Sequence, residues 1–206
     1  MTAIIDYGVG NLFSLKSSFA AIGAEAVVTG DPEVIAASER IILPGVGAFE
    51  DAARKLRDAG LDRVILEETE KGKPLLGICL GMQMLFEKSY EYGEHEGLGL
   101  IGGAVKPMLG VIPAELKIPH IGWNGLIFPK NREKSALYKY IDEGDCVYFV
   151  HSYYGADCDE SVTARAEYGA LLTASVERGN VFGTQFHPEK SGSVGLRILK
   201  AFTEIK

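Results

Sequence analysis

The stretch Pro74-Leu75-Leu76-Gly77-Ile78-Cys79-Leu80-Gly81-Met82-Gln83 decides the fold. Its apolar first half reads as a buried strand and its second half opens a segment with helical spacing, so the chain must turn sharply at Cys79. A strand that passes this abruptly into a helix lifts one side chain out at the carboxyl end of a sheet. The turn tolerates only small neighbours, here Gly77 and Gly81. The predicted element is a nucleophile elbow carrying a thiol. Cys79 is expected to stand exposed at a helix N-terminus, where backbone N–H groups and the helix dipole favour thiolate.

Upstream of the elbow, short apolar runs alternate with amphipathic stretches, the pattern of βαβ units and a parallel sheet. Ala3-Ile4-Ile5, Ala26-Val27-Val28 and Ile41-Ile42-Leu43 read as strands. Between them Asn11 can cap a helix whose Leu12, Leu15, Phe19 and Ile22 share one face, and Asp31-Pro32 supplies a cap and first helical position. A helix from Phe49 to Ala59 ends at Gly60, and Leu61, Val64 and Ile65 suggest another turn or two before Lys71-Gly72.

Beyond Tyr92 the chain becomes Gly-rich and Pro-interrupted, with strand candidates at 116–121, 146–151, 162–167, 171–176 and 181–186. Arg178-Gly179-Asn180 reads as a hairpin turn, and Val194, Ile198 and Phe202 mark a closing amphipathic helix. The expected fold is α/β: a central, mostly parallel mixed sheet flanked by helices, with an added antiparallel portion in the second half. One domain over 1–206 is the default for this length.

Composition narrows the function. The chain has 206 residues, 47% hydrophobic and 24% charged, with a formal net charge of −7. That charge offers no basic patch to a phosphate backbone, so nucleic acid is not an expected partner. No long uncharged apolar span suggests a membrane, and three cysteines, Cys79, Cys146 and Cys158, suit a reduced, cytoplasmic chain. Gly97-Leu98-Gly99-Leu100-Ile101-Gly102 fits G-x-G-x-x-G, but it does not lie between an initial strand and a helix, so no dinucleotide cofactor is expected. No Cys/His spacing suits zinc.

A cysteine nucleophile needs a base and a group that orients the base. Of four histidines, His187 stands out, because Gln185-Phe186-His187-Pro188-Glu189 leaves a strand and carries a carboxylate two residues on. In an extended segment those two side chains point the same way, so Glu189 can hold one imidazole nitrogen. His120 and His151 read as packed or hydrogen-bonded histidines, and His95 as solvated. Attack on a carboxamide also needs donors for the developing oxyanion. The N–H of Leu80 is one, and Val46 or Gly47, in Pro44-Gly45-Val46-Gly47 at the end of the third strand, is the candidate for a second.

These residues resemble the triad (class I) glutamine amidotransferases, which release ammonia from glutamine through a γ-glutamyl thioester. The resemblance implies Cys79 as nucleophile, His187 as base and then acid, and Glu189 as orienter, with no cofactor and no metal. It also places Gln83, Glu91, Ser152 and Tyr153 at the substrate glutamine. Asp6 to Leu12, Pro44 to Gly47, Pro119-His120-Ile121-Gly122-Trp123-Asn124, Tyr148 to Tyr153 and His187 to Ser191 occur in order. Together they are similar to the glutaminase subunits of imidazole glycerol phosphate synthases, over nearly the whole chain. That family implies a (β/α)8-barrel synthase as partner, reached through Asn11, Trp123, Tyr148 and Lys190. The glutaminases of pyridoxal phosphate and anthranilate synthases are the nearest alternative, disfavoured by Gly122-Trp123-Asn124 and Lys190-Ser191; a non-catalytic regulatory subunit is disfavoured by the intact Cys/His/Glu set.

Overall fold

The computed structural model describes residues 1–206. In chain order the elements are β1 (Thr2–Ile5), α1 (Leu12–Ala21), β2 (Ala26–Thr29), α2 (Pro32–Ala37), β3 (Arg40–Gly45), α3 (Phe49–Asp58), α4 (Leu61–Glu70), β4 (Leu75–Cys79) and α5 (Leu80–Met84). There follow β5 (Phe86–Ser89), β6 (His95–Glu96), β7 (Ile101–Pro107), β8 (His120–Gly125), β9 (Cys146–His151), β10 (Tyr153–Ala156), β11 (Val162–Glu167), β12 (Leu171–Arg178), β13 (Val181–Thr184) and α6 (Gly192–Glu204).

A seven-stranded sheet in the order β11-β12-β13-β4-β3-β1-β2 forms the centre. β2, β1, β3, β4 and β13 run parallel to their neighbours, while β12 and β11 complete the sheet antiparallel. Alternation along the strands divides the interior in two. Ala3, Ile5, Ile41, Leu43 and Leu75 face a core built with Phe49, Leu56, Leu61 and Ile65 of α3 and α4. Ile4, Ile42, Leu76 and Ile78 face a second core closed by Leu15 and Phe19 of α1 and Ile198, Leu199 and Phe202 of α6. No helix is long and apolar enough to cross a membrane.

Outside this sheet lie a four-stranded sheet, β10-β7-β5-β6, and the hairpin β8-β9. They are the added portion expected for the second half, although β5 and β7 pair in parallel. Three local expectations change. α4 is a full ten residues rather than a turn or two. The strand placed at 116–121 begins at His120, where pairing with His151 starts. Asn11 stands at the N-cap of α1 but makes no side-chain cap; its amide reaches Glu189 instead.

Candidate active site

β3, β4 and β13 deliver their carboxyl ends to one edge of the sheet, the usual place for a ligand in such folds. Gly45 pairs with Cys79, and Thr184 with Ile78, so the residues after β13 emerge beside the elbow. Cys79 holds φ +55 and ψ −112, a backbone conformation a non-glycine residue seldom adopts unless its surroundings enforce it. The turn is packed backbone against backbone, with no room for side chains on the glycines around it. A Cβ on Gly81 would run into the Leu43 carbonyl, one on Gly77 would lie 2.7 Å from the Gly81 oxygen, and one on Gly45 2.7 Å from the Gly81 nitrogen.

Cys79 is not openly exposed, as the elbow alone suggested; it is 8% accessible and lines a cavity of about 380 Å³. Sequence reasoning foresaw the turn but not the cover. Gln185 Nε2 donates to Cys79 Sγ at 3.8 Å, and the Val150 carbonyl lies 4.0 Å from the sulfur.

His187 and Cys79 both line this cavity. His187 Nδ1 donates to Glu189 Oε1 at 2.9 Å, since a carboxylate only accepts, which leaves Nε2 for the sulfur. Glu189 reaches the ring from a short 3₁₀ turn, Pro188–Lys190, rather than along an extended strand. Asn11 Nδ2 adds a 3.4 Å contact to Oε1, and Glu189 Oε2 is buried with no partner. Burial works against charge on His187, but its neighbours Cys79 and Glu189 outweigh it and raise the imidazole to about 9.

The remaining candidates gather around the same space. Val46, Gly47, Leu80, Gln83, Glu91, Ser152, Tyr153 and Lys190 all line the cavity. The Val46 and Gly47 N–H groups donate to no backbone acceptor. Leu80 opens α5, where an N–H has no acceptor within the helix. Glu91 Oε2 accepts from the Phe49 N–H at 2.6 Å at the start of α3, and half-burial nevertheless pushes its carboxyl up. Gln83 Nε2 donates to the Tyr153 carbonyl and to Gln185 Oε1, both at 3.1 Å.

Asn11, Trp123 and Tyr148 do not line the cavity. Trp123, 54% accessible, meets Tyr148 edge-on at 5.9 Å, and Lys190 Nζ lies 5.9 Å above the Tyr148 ring. The Tyr148 backbone is tied to the His187 segment: the His187 N–H donates to Tyr148 O at 3.0 Å, and the Tyr148 N–H to Ser191 Oγ at 2.9 Å. The aromatic pair on β8-β9 is therefore mechanically continuous with the candidate base.

Sequence reasoning missed Gln185, His151, Pro119 and Val150 at the site. Gln185 was legible in principle, because it lies two residues before His187 and leaves the same strand. His95 is not simply solvated; it is half-buried, 6.5 Å from the Phe49 ring. No group of three or more His, Cys, Asp or Glu is placed to hold a metal ion.

Residues 3–205 match the family "Glutamine amidotransferase class-I". Imidazole glycerol phosphate synthase subunit HisH of Syntrophotalea carbinolica is 47% identical over all of this chain and all of that protein. HisH of Aquifex aeolicus is 49% identical over 98% of this chain and 95% of its own. Among solved structures, a glutamine amidotransferase superposes with TM-score 0.75 at 21% identity, covering 98% of this chain and 97% of that one. PurLQS from Thermotoga maritima does so with TM-score 0.73 at 22% identity, covering 98% and 97%. At those identities the structures speak to the fold.

Proposed function

Because the chain belongs to the class-I glutamine amidotransferases and, within them, to the HisH subunits of imidazole glycerol phosphate synthase, we infer that this cavity opens glutamine's side-chain amide. The protein is a glutaminase of histidine biosynthesis. The observation that carries the residue assignment is the convergence of Cys79, held at φ +55, and the His187–Glu189 pair on one cavity.

In the proposed sequence Cys79 Sγ attacks the amide carbon, and the oxyanion is met by the N–H groups of Leu80 and of Val46 or Gly47. His187 passes the thiol proton to the leaving nitrogen, so ammonia departs and a γ-glutamyl thioester remains. Water, deprotonated by His187, then attacks the thioester; glutamate leaves and the thiol is restored. Glu189 keeps the imidazole in the required tautomer and orientation. In this reading Gln83 contacts the substrate glutamine and Glu91 its α-ammonium group, with Ser152 and Tyr153 along the wall.

Ammonia released into water becomes largely ammonium, which is not a nucleophile, so a consuming enzyme must cover the site. The proposed partner is a (β/α)8-barrel cyclase, forming a cytoplasmic heterodimer that acts as a lyase. Residues 1–206 serve as a single glutaminase unit. Trp123, Tyr148, Lys190 and Asn11 are the proposed contacts; the exposure of Trp123 and the position of Lys190 between cavity and Tyr148 support this. Cys79→Ala tests the reading. In the complex it is expected to abolish synthesis from glutamine while sparing synthesis from ammonium salt. Glutamine-dependent turnover surviving in the variant would overturn the role given to Cys79.

A further inference from the structure

A buried polar chain runs from β8 to the cavity wall and takes no part in the chemistry just described. The hairpin register sets His120 opposite His151. His120 is 1% accessible, stacked between Phe149 and Tyr168, with ring centroids 5.1 and 4.0 Å away. Four contacts follow one another: His151 Nδ1 to the Tyr153 carbonyl, 2.8 Å; His120 Nδ1 to His151 Nε2, 3.2 Å; His120 Nε2 to Asn124 Oδ1, 2.7 Å; and Asn124 Nδ2 to the Glu167 carbonyl, 2.8 Å. The Tyr153 carbonyl also receives Gln83 Nε2, while Gln83, which lines the cavity, uses its Oε1 in no hydrogen bond within the protein.

Counting protons shows the constraint. Carbonyls only accept, and two neutral imidazoles bring one N–H each, so the three contacts that involve a ring need one proton more than the rings supply. The deficit is cheapest where water can reach it, and the Asn124–Glu167 contact is the exposed end of the chain. Turning the Asn124 amide lets its NH₂ donate to His120 Nε2. His120 Nδ1–H then donates to His151 Nε2, and His151 Nδ1–H to the Tyr153 oxygen. The three contacts to the rings are then satisfied with every donor pointing toward the cavity, and the cost falls on the exposed Asn124–Glu167 bond, which is exchanged for water.

We propose that His120 and His151 are positioning residues for glutamine binding: this one-way donor chain holds the Tyr153 carbonyl, and through it the Gln83 amide, so that Gln83 Oε1 is presented to the ligand. The proposal rests on the glutamine reading of the cavity. It assigns both rings the Nδ1–H tautomer, and it makes His120, which does not line the cavity, a determinant of KM rather than of kcat.

The test uses the complex with the synthase subunit. His120→Leu is expected to raise the KM for glutamine about tenfold, the scale of one buried hydrogen bond, with a smaller change in kcat and none in synthesis from ammonium chloride. His120→Gln, which can accept and donate along the same line, is expected to return KM to within about threefold of the parent. An unchanged KM in a folded His120→Leu variant, or equal defects in the two variants, overturns the proposal. Ring-nitrogen NMR of the unsubstituted chain at neutral pH needs no variant to fold: Nδ1–H and bare Nε2 on both rings are expected, and a proton on Nε2 of either ring overturns it. Failure of the glutaminase reading would look different, because the parent complex would itself lack glutamine-dependent turnover.

Discussion

The Tyr7 hydroxyl donates to the Pro44 carbonyl at 2.7 Å, in a buried position just past the last pairing of β1 with β3 at Ile4 and Ile42. Where the backbone ladder runs out, a side chain takes over the carbonyl that precedes Gly45, Val46 and Gly47. Burial, reinforced by nearby Cys79, pushes the phenol up, so Tyr7 remains a donor. Tyr7→Phe is expected to cost about 1–3 kcal/mol in urea unfolding, the penalty for stranding a buried acceptor, and to lower glutamine-dependent kcat with it. Unaltered kcat alongside reduced stability would detach Tyr7 from the loop that carries the proposed oxyanion donors.

The protonation of His187 gives a second test. Its folded value, raised from 6.5 to about 9, means that protonation favours the native state. The stabilisation is fully present below about 6.5 and is lost as pH rises through about 9. Cys79→Ala removes one of the two neighbours that oppose the burial penalty. An NMR titration of the His187 ring should therefore move clearly downward in that variant, and a midpoint still near 9 would refute the coupling.

Close backbone packing at the elbow separates two glycine substitutions. Gly81→Ala drives a methyl into the Leu43 carbonyl, backbone against backbone, and is expected to lose more than about 4 kcal/mol or to fail to fold. Gly102→Ala has open space around the new methyl and should stay within about 0.5 kcal/mol of the parent. Chemical denaturation of the pair checks both expectations.

Asn11 provides a fourth. A lost helix cap would cost about 1 kcal/mol, but the Asn11 side chain caps nothing and faces Glu189 instead. Asn11→Ala is therefore expected to leave unfolding nearly unchanged while lowering glutamine turnover in the complex. A loss of stability without a loss of turnover would restore the capping role.

These cases show what one strand of text can reveal. The elbow, its glycines and the His-Pro-Glu segment are local patterns, and each was legible because sterics or chemistry acts over a few residues. The Asn11 side chain went to Glu189 because a tertiary partner outcompeted a local one, and no local pattern records that choice. β5 was hidden because Phe86 continues the helical spacing of Met82, whereas the chain leaves α5 after five residues to join β7. β7, with Gly102 and Gly103 inside it, looks like a loop until β5 and β10 flank it. The pairing of His120 with His151 depends on hairpin register, which neither histidine carries alone.

The position of β13 beside β4 also sets an order of events in time. The thiol arrives on a strand from the first half of the chain, and its proposed base follows a strand from the last quarter, with β13 seated between β4 and β12. A chain synthesised from its N-terminus can build β1 to β4 early, but it carries an unassisted cysteine until the closing hairpin is inserted. Under the proposed roles, reactivity waits on the completion of folding, so that a growing polypeptide is not an active hydrolase while its own surfaces are still unpaired.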